Sequence, residues 1–479
     1  MATIAAPQTV KRIFLGGEWL DTGSHLEVRS PYSGDVVAMV ARAGATEARR
    51  AVDAAARAMR DPLPAWQRAD LLERISRLIA ERNEELARTI SAEAGKPIKN
   101  ARIEAARAVN TYSLAAGEAR RLAGDVVPVT GTQPGQGHIA WTVRVPIGVV
   151  GAITPFNFPL NLVAHKLAPA LAAGCAVVAK PASQTPVSAL RLAAICEEAG
   201  LPAGWLSVLP GSAADIGEVL CADDRVRMIT FTGSSEVGWG LRARAARKKV
   251  SLELGNASPV LVEADADLEV ASSKVATHAF AFAGQTCVSV QRVYVRRQVF
   301  DDFLARLVPK VEQLRVGDPS EDTTDVGPVI DRGSHERVLE WIEEATAGGA
   351  TVLCGGVEEG GLIKPTVLTD VTPEMKVCSR EIFGPVCSVV PYDSLEEGFA
   401  LANATEYGLQ AAIFTRSIEP AVQATTRLEF GSVMINEAPE WRVDQMPYGG
   451  TKASGNTKEG PAYTIREMTE ERLVVLGGV

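Results

Sequence analysis

Cys287 closes a run of small residues, Phe282-Ala283-Gly284-Gln285-Thr286-Cys287, and Glu253-Leu254-Gly255 begins 34 residues upstream. Cysteine is the strongest free nucleophile among side chains, because a few per cent of it is thiolate at neutral pH. A glutamate in a glycine-flanked turn can serve as a general base once burial lifts its pKa. Taken alone, Cys287 reads like the other six cysteines (175, 196, 221, 354, 378 and 387), which are scattered and fit buried structural thiols. The glycine turn before it and the glutamate upstream set it apart.

A second chemical signal lies at Met228–Thr232, a β-prone run that leads into Gly233-Ser234-Ser235-Glu236-Val237-Gly238 and then a helical stretch. Small residues at a strand-to-helix turn let a pyrophosphate approach backbone N–H groups. By itself the segment also fits an ordinary glycine turn, and no Gly-x-Gly-x-x-Gly is present.

These groups need elements to hold them. Residues 46–61 and 64–121 carry apolar residues at helical intervals, as in Leu71, Leu72, Ile75, Leu78 and Ile79, with Thr46-Glu47 as a helix start. Val126–Val129 and Ile139–Val145 flank a Gly/Gln/Pro-rich segment and predict a long hairpin. From 147 to 262, strands at 148–153, 176–179, 205–209, 228–232 and 250–254 alternate with helices at about 160–173, 185–199, 212–220 and 235–247. That is the rhythm of a parallel, doubly wound sheet. A second α/β stretch runs from about 265 to 440, with strands near 290–296, 386–391, 411–415 and 432–436. The mostly apolar run 149–178 is broken by Pro155, Asn157, Pro159, Asn161, His165, Lys166 and Pro169, so it reads as strand, loop, helix and strand rather than a membrane span. The tail carries Arg472-Leu473-Val474-Val475-Leu476, an apolar strand that is a pairing hazard unless a partner covers it, so a homo-oligomer is expected.

A chain of 479 residues exceeds one ordinary core, and two or three domains are expected. The net charge of −9 and the absence of a basic tract exclude nucleic acid as a natural partner. Met1–Gly17 has no signal-peptide pattern, and the odd, unpaired cysteines fit a reducing cytoplasm. The five histidines are scattered and predict no metal site.

Cys287 and its turn, Glu253-Leu254-Gly255, Pro155-Phe156-Asn157-Phe158-Pro159 and Glu381-Ile382-Phe383-Gly384-Pro385 resemble the aldehyde dehydrogenase superfamily in order and in spacing. The resemblance covers nearly the whole chain. It implies an α/β fold: a Rossmann-type NAD(P)-binding domain (1–122 and 146–252), an α/β catalytic domain (253–452) and a small β oligomerisation element (123–145 and 453–479). It also implies oxidation of an aldehyde with NAD or NADP. The Cys287 thiolate would attack, Asn157 would hold the oxyanion, Lys166 would support the site, and Glu253 would activate water to release the acid. On the same resemblance the cofactor site takes in Thr154, Pro155, Phe156, Lys180, Ser183, Gly211, Phe231, Gly233, Ser234 and Leu254. Glu381 and Phe383 would meet the nicotinamide ribose and ring.

The chain also departs from its relatives. Many NAD-preferring relatives carry a glutamate where this chain has Ser183; serine removes a carboxylate that would repel a 2′-phosphate, so NADP⁺ is expected to be accepted. A glutamate that follows the C-terminal Ser-Gly in many hydrolytic relatives is expected to be missing, with Ala462 at the matching place. Glu253 favours a free acid over acyl-CoA. A CoA-acylating semialdehyde dehydrogenase and a non-catalytic, crystallin-like binding protein are the competing readings.

Trp441-Arg442-Val443-Asp444-Gln445-Met446-Pro447-Tyr448-Gly449-Gly450 resembles a pattern, with Phe in place of Tyr448, found in relatives that act on lactaldehyde, glyceraldehyde 3-phosphate and succinic semialdehyde. Placed on that fold, Arg107, His165, Thr286, Arg442 and Tyr448 would line the substrate tunnel. Two arginines and a histidine would suit an anionic tail. Thr286 stands where relatives using glyceraldehyde 3-phosphate tend to carry arginine. The expected substrate is a short hydroxylated or anionic aldehyde.

Overall fold

The structure, a computed structural model, describes residues 10–478 except 246. The first nine residues of the Met1–Gly17 segment therefore lie outside the described residues. The strand Val149–Ile153 is buried along its whole length, as expected for an apolar run covered on both faces. Val177–Lys180 pairs with it on one side and Val226–Thr232 on the other, both parallel. Leu206–Val208 and Lys249–Glu253 extend the two sides, and Ile13–Leu15 and Glu18–Leu20 close one edge antiparallel. Strand order thus reverses around Val149–Ile153. Such a switch point opens a crevice at the carboxyl ends of the strands, where ligands bind in doubly wound sheets.

The helix Asn161–Ala173 follows and is buried on every side, which is why its sequence is mostly apolar, with Asn161, His165 and Lys166 as its buried polar exceptions. Among the described residues, no helix is long and apolar enough to cross a membrane. The expected helix at 64–121 is three helices: Ala65–Glu81, Asn83–Ala94 and Ile98–Arg121. Gly95, in the left-handed conformation at φ +67°, caps the second of these, and Pro97 then sets the start of the third. The first helix begins at Ala45, one residue before the expected start, with the Glu47 carboxylate accepting from the Gly44 N–H at 2.8 Å.

A second sheet is built from Ser258–Val262, Val290–Arg296, Thr366–Thr369, Val386–Tyr392, Gln410–Phe414 and Ser432–Ile435, all parallel, with Thr351–Cys354 antiparallel at one edge. Each sheet has its own apolar core. The hairpin forms from Val126–Val127 and His138–Pro146, and the tail strand Thr469–Gly477 pairs antiparallel along the whole of His138–Pro146. Val126, Ile139, Leu473, Val475 and Leu476 stay exposed on this small sheet. Within 453–479, the helix Pro461–Glu467 packs instead on Asn161–Ala173 and Ile98–Arg121. Glu253 and Gly455 form a bridge, and Leu254 N–H donates to the Ser454 carbonyl at 3.0 Å. The C-terminal loop is thereby tied to the end of the Lys249–Glu253 strand.

Candidate active site

The segment before Cys287 is held in an unusual backbone path. Phe282, Ala283 and Gly284 take positive φ in succession (48°, 52° and 69°), a conformation that costs non-glycine residues energy unless the surroundings fix it. A side chain at Gly284 would place its Cβ 2.1 Å from the Gly384 carbonyl oxygen, so only glycine allows the two loops to meet. Gln285, fully buried, staples the turn: its amide donates to the Phe282 and Pro328 carbonyls, and its oxygen accepts from Ile330 N–H at 2.8 Å. The Gln285 carbonyl accepts from Asn157 Nδ2 at 2.9 Å, which leaves that amide one further N–H. The Cys287 N–H has no acceptor among the described residues. Cys287 is partly exposed, whereas the other six cysteines are buried. Burial pushes its thiol up to about 12, against the opposing hydrogen bond from Tyr448 and charge of Arg442.

Cys287, Glu253, Thr286, Arg107, Arg442 and Tyr448 line one cavity of about 330 Å³. Glu253 is 3% exposed, and neither carboxylate oxygen has a hydrogen-bond partner among the described residues. Burial, then the negative charge of Glu459, lifts its pKa well above the usual range. A carboxyl so placed ionises late and takes up a proton readily, as a general base requires. Gly449 makes room for it: a Cβ there would lie 2.6 Å from Glu253 Oε1.

Glu459 was the residue sequence reasoning missed. It follows Ser454-Gly455 in the stretch Thr457-Lys458-Glu459-Gly460 and lines the cavity, so a buried glutamate is present after all. The expectation of a gap at Ala462 is corrected; Ala462 belongs to the next helix. Lys166, also buried, donates to Glu459 Oε1 at 2.8 Å and to Thr230 Oγ1 at 3.1 Å. Burial alone would raise the Glu459 pKa, but Lys166, His165 and Arg442 together bring it below the ordinary value.

His165 does not face the cavity. Its ring is fully buried behind the wall, with Nε2 3.0 Å from Asp444 Oδ1. Burial, then the charge of Arg442, lower its pKa against the hydrogen bond to Asp444. The same Asp444 oxygen accepts from Arg107 Nη2 at 2.8 Å and Nε at 3.1 Å, so Arg107 reaches the cavity already paired. Arg442 differs. Its side chain is 8% exposed, its Nε and Nη2 have no hydrogen-bond partner, and Glu459 Oε2 stands 3.9 Å away. Its guanidinium stacks 3.7 Å from the Tyr448 ring centre. Thr286 Oγ1 is likewise buried and unpartnered. Lys96 and Glu104, unremarked in the sequence, form a buried pair at 2.5 Å on the wall, with Glu104 also capping the Asn161 helix through Leu160 and Asn161 N–H. Glu104 lies one helical turn before Arg107, a spacing that offered the signal.

The crevice at the switch point fits a dinucleotide. Lys180 is 6% exposed and its ammonium has no acceptor among the described residues. Burial lowers its pKa. Thr154 and Thr232 at the strand ends hold buried hydroxyls without partners. Ser234 caps the ten-residue helix Ser235–Arg244, and a Cβ at Gly233 would lie 2.6 Å from the Phe231 ring. An unpaired cation, free hydroxyls and a glycine-lined helix N-terminus suit phosphate and ribose groups. Ser183 is exposed and donates to the Gly211 carbonyl at 3.2 Å. Leu254 is buried and would meet a Cβ at Gly238 at 2.4 Å, so helix and strand pack closely here. At the inner end, Phe156 and Phe383 meet edge to face, 5.8 Å apart, with Phe383 at φ +46° and Pro155 leading into the turn. Glu381 presses on Gly255 and accepts from Asn256 N–H at 2.9 Å; burial raises its pKa to about 7.

The model of the aldehyde dehydrogenase family matches residues 19–474. The chain is 46% identical over 464 residues, 97% of each protein, to 3-sulfolactaldehyde dehydrogenase of Priestia megaterium. The crystal structure of aldehyde dehydrogenase 21 from Physcomitrella patens, in complex with the reaction product succinate, superimposes with a TM-score of 0.95 at 38% identity, covering 99% of each chain. NADP-dependent glyceraldehyde-3-phosphate dehydrogenase of Bacillus halodurans, complexed with NADP, gives a TM-score of 0.96 at 37% identity over 98% of this chain and all of that one.

Proposed function

The chain belongs to the aldehyde dehydrogenase family and is an NAD(P)-dependent enzyme, and we propose that it oxidises a short hydroxyaldehyde with an anionic tail, of the 3-sulfolactaldehyde class, to the free acid. One observation carries this reading: the buried Arg442 guanidinium, on the same cavity wall as Cys287, has Nε and Nη2 donors that no group among the described residues accepts. A buried cation with unused N–H groups is costly unless an anion completes it. Arg107, fixed by Asp444, can add a donor at low entropy cost. Thr286, in place of a third arginine, favours the smaller tail. A cavity of about 330 Å³ suits a substrate of a few carbons.

The residues then act in sequence. The Cys287 thiolate attacks the aldehyde carbon; the S–C bond forms and the carbonyl electron pair moves onto oxygen. Asn157 Nδ2 and the Cys287 N–H receive that oxyanion. Phe383, Glu381 and the Thr154–Phe156 turn would hold the nicotinamide end of the cofactor, and Lys180 and Ser234 its ribose and phosphate groups; bound there, it would supply a hydride acceptor. With loss of hydride, the carbon on Cys287 becomes a thioester. Glu253 takes a proton from water, the hydroxide adds to the thioester carbon, and the C–S bond breaks to release the carboxylate. Glu459 and Lys166 hold the charge beside Glu253 and offer its proton a way on.

The test compares kcat/KM for 3-sulfolactaldehyde, succinic semialdehyde, lactaldehyde and propanal in wild type and Arg442→Met. Loss of one charge-assisted contact predicts a fall of about 10²-fold for the two anionic aldehydes and little change for propanal. An equal fall for all four would remove Arg442 from tail recognition.

A further inference from the structure

The Tyr448 hydroxyl lies 2.8 Å from the Cys287 sulfur. From this contact we infer that Tyr448 is a catalytic residue as well as a wall of the cavity: its phenol O–H donates to the Cys287 thiolate, fixes the sulfur in its resting position and favours its ionisation. The inference rests on Cys287 being the nucleophile. A thiolate can only accept, so at the moment it forms the phenol must be the donor. The tyrosine keeps its proton throughout; the thiol proton leaves to solvent, and the S–C bond then forms as above.

Three features make the contact a built one. The ring is 3% exposed and packs among Val288 and Leu409. Its backbone is locked to Glu459 by a reciprocal pair, Tyr448 N–H to the Glu459 carbonyl at 2.9 Å and Glu459 N–H to the Tyr448 carbonyl at 2.6 Å. The Arg442 guanidinium covers the ring at 3.7 Å, which holds its plane and makes the phenol a better donor. The backbone bridge, the ring packing and the arginine stack together hold the hydroxyl at the sulfur.

The surroundings show why a donor is needed. The charged groups that face Cys287 are Arg442, which favours a thiolate, and Glu253 and Glu381, which oppose it. Burial opposes it further. Among the described residues, the Tyr448 hydroxyl is the one hydrogen-bonding side chain on the sulfur. A phenylalanine would keep the ring, the packing and the arginine stack, and lose only that donor.

The experiment reads the thiol directly. Purified enzyme without cofactor is alkylated with iodoacetamide, in which the sulfur displaces iodide, and modification of the Cys287 peptide is followed by mass spectrometry across pH. Loss of one charge-assisted hydrogen bond in Tyr448→Phe should slow alkylation about tenfold at each pH below the thiol pKa, a displacement of about one pH unit. Placing 3,5-difluorotyrosine at 448, a stronger donor of the same shape, should move the profile the other way, and it covers the case in which the phenylalanine variant folds poorly. Unchanged profiles, or displacement in the same direction in both, would overturn the proposal. Activity surviving in Cys287→Ala would instead overturn the nucleophile assignment, whatever the alkylation profiles show.

Discussion

The crevice at the strand ends and the cavity that Cys287 lines are built on different principles. The crevice relies on shape. Glycines at 233, 238 and 255 let backbone and side chains approach within distances no Cβ would allow, and the buried cation Lys180 has no partner among the described residues. The cavity relies on charge. Lys96 with Glu104, Lys166 with Glu459, and Arg107 with Asp444 are compensated pairs, and Glu253 and Arg442 are left incomplete among them. A paired buried ion is a wall, because removing its partner leaves an uncompensated charge. A buried ion with unused hydrogen-bonding atoms can instead act on water or substrate.

The largest effect should come from breaking the cavity at Glu253. In Glu253→Gln the first turnover, seen as a burst of NAD(P)H, should survive while steady-state turnover falls by about 10²–10⁴, the range for loss of a general base. Rapid-mixing absorbance measures both, and loss of the burst as well would place Glu253 before the thioester. In the crevice, Ser183→Glu adds a carboxylate where the fold offers only a hydroxyl turned to Gly211. Repulsion of a 2′-phosphate should cut kcat/KM with NADP⁺ by about 10²-fold and leave NAD⁺ within a few-fold. Equal losses with both cofactors would mean that residue 183 shapes the turn and reads no phosphate.

The smallest effect sharpens the contrast between compensated and free charge. Glu459 raises the pKa of Glu253 by like-charge repulsion, second to burial. Glu459→Gln removes a negative neighbour, so Glu253 should lose its proton at lower pH. The acid limb of the steady-state profile should then move down in pH, because the ionised base persists further into acid. A limb that stays in place would mean that burial alone sets the Glu253 pKa.

Much of the fold was legible because it is local. The βαβ alternation from 147 to 262 could be read from apolar runs and turns, and its strands stand within two residues of their expected limits. The fold class could be read in the same way. The breaks within 64–121 were harder, since Gly95 and Pro97 interrupt a periodicity that continues on either side. In the cavity, sequence pointed to Cys287, Glu253, Arg107 and Arg442, all of which reach one wall, and it misplaced His165. Asn161, one turn earlier on the same helix, does line the cavity, but the His165 ring lies behind the wall against Asp444.

What the sequence determined by itself was the inventory: a thiol in a glycine turn, a carboxylate in another, and strands and helices with one sheet's periodicity. These are properties of short stretches, and short-range physics fixes them. What the tertiary structure decided was which charges are satisfied. Lys166 meets Glu459 across 293 residues, Arg107 meets Asp444 across 337, and Tyr448 meets Cys287 across 161. No local pattern encodes such pairings. They follow from how the C-terminal loop is laid against the strand ending at Glu253, and that placement makes Asp444 and Glu459 counter-ions while leaving Arg442 and Glu253 with unused hydrogen-bonding atoms.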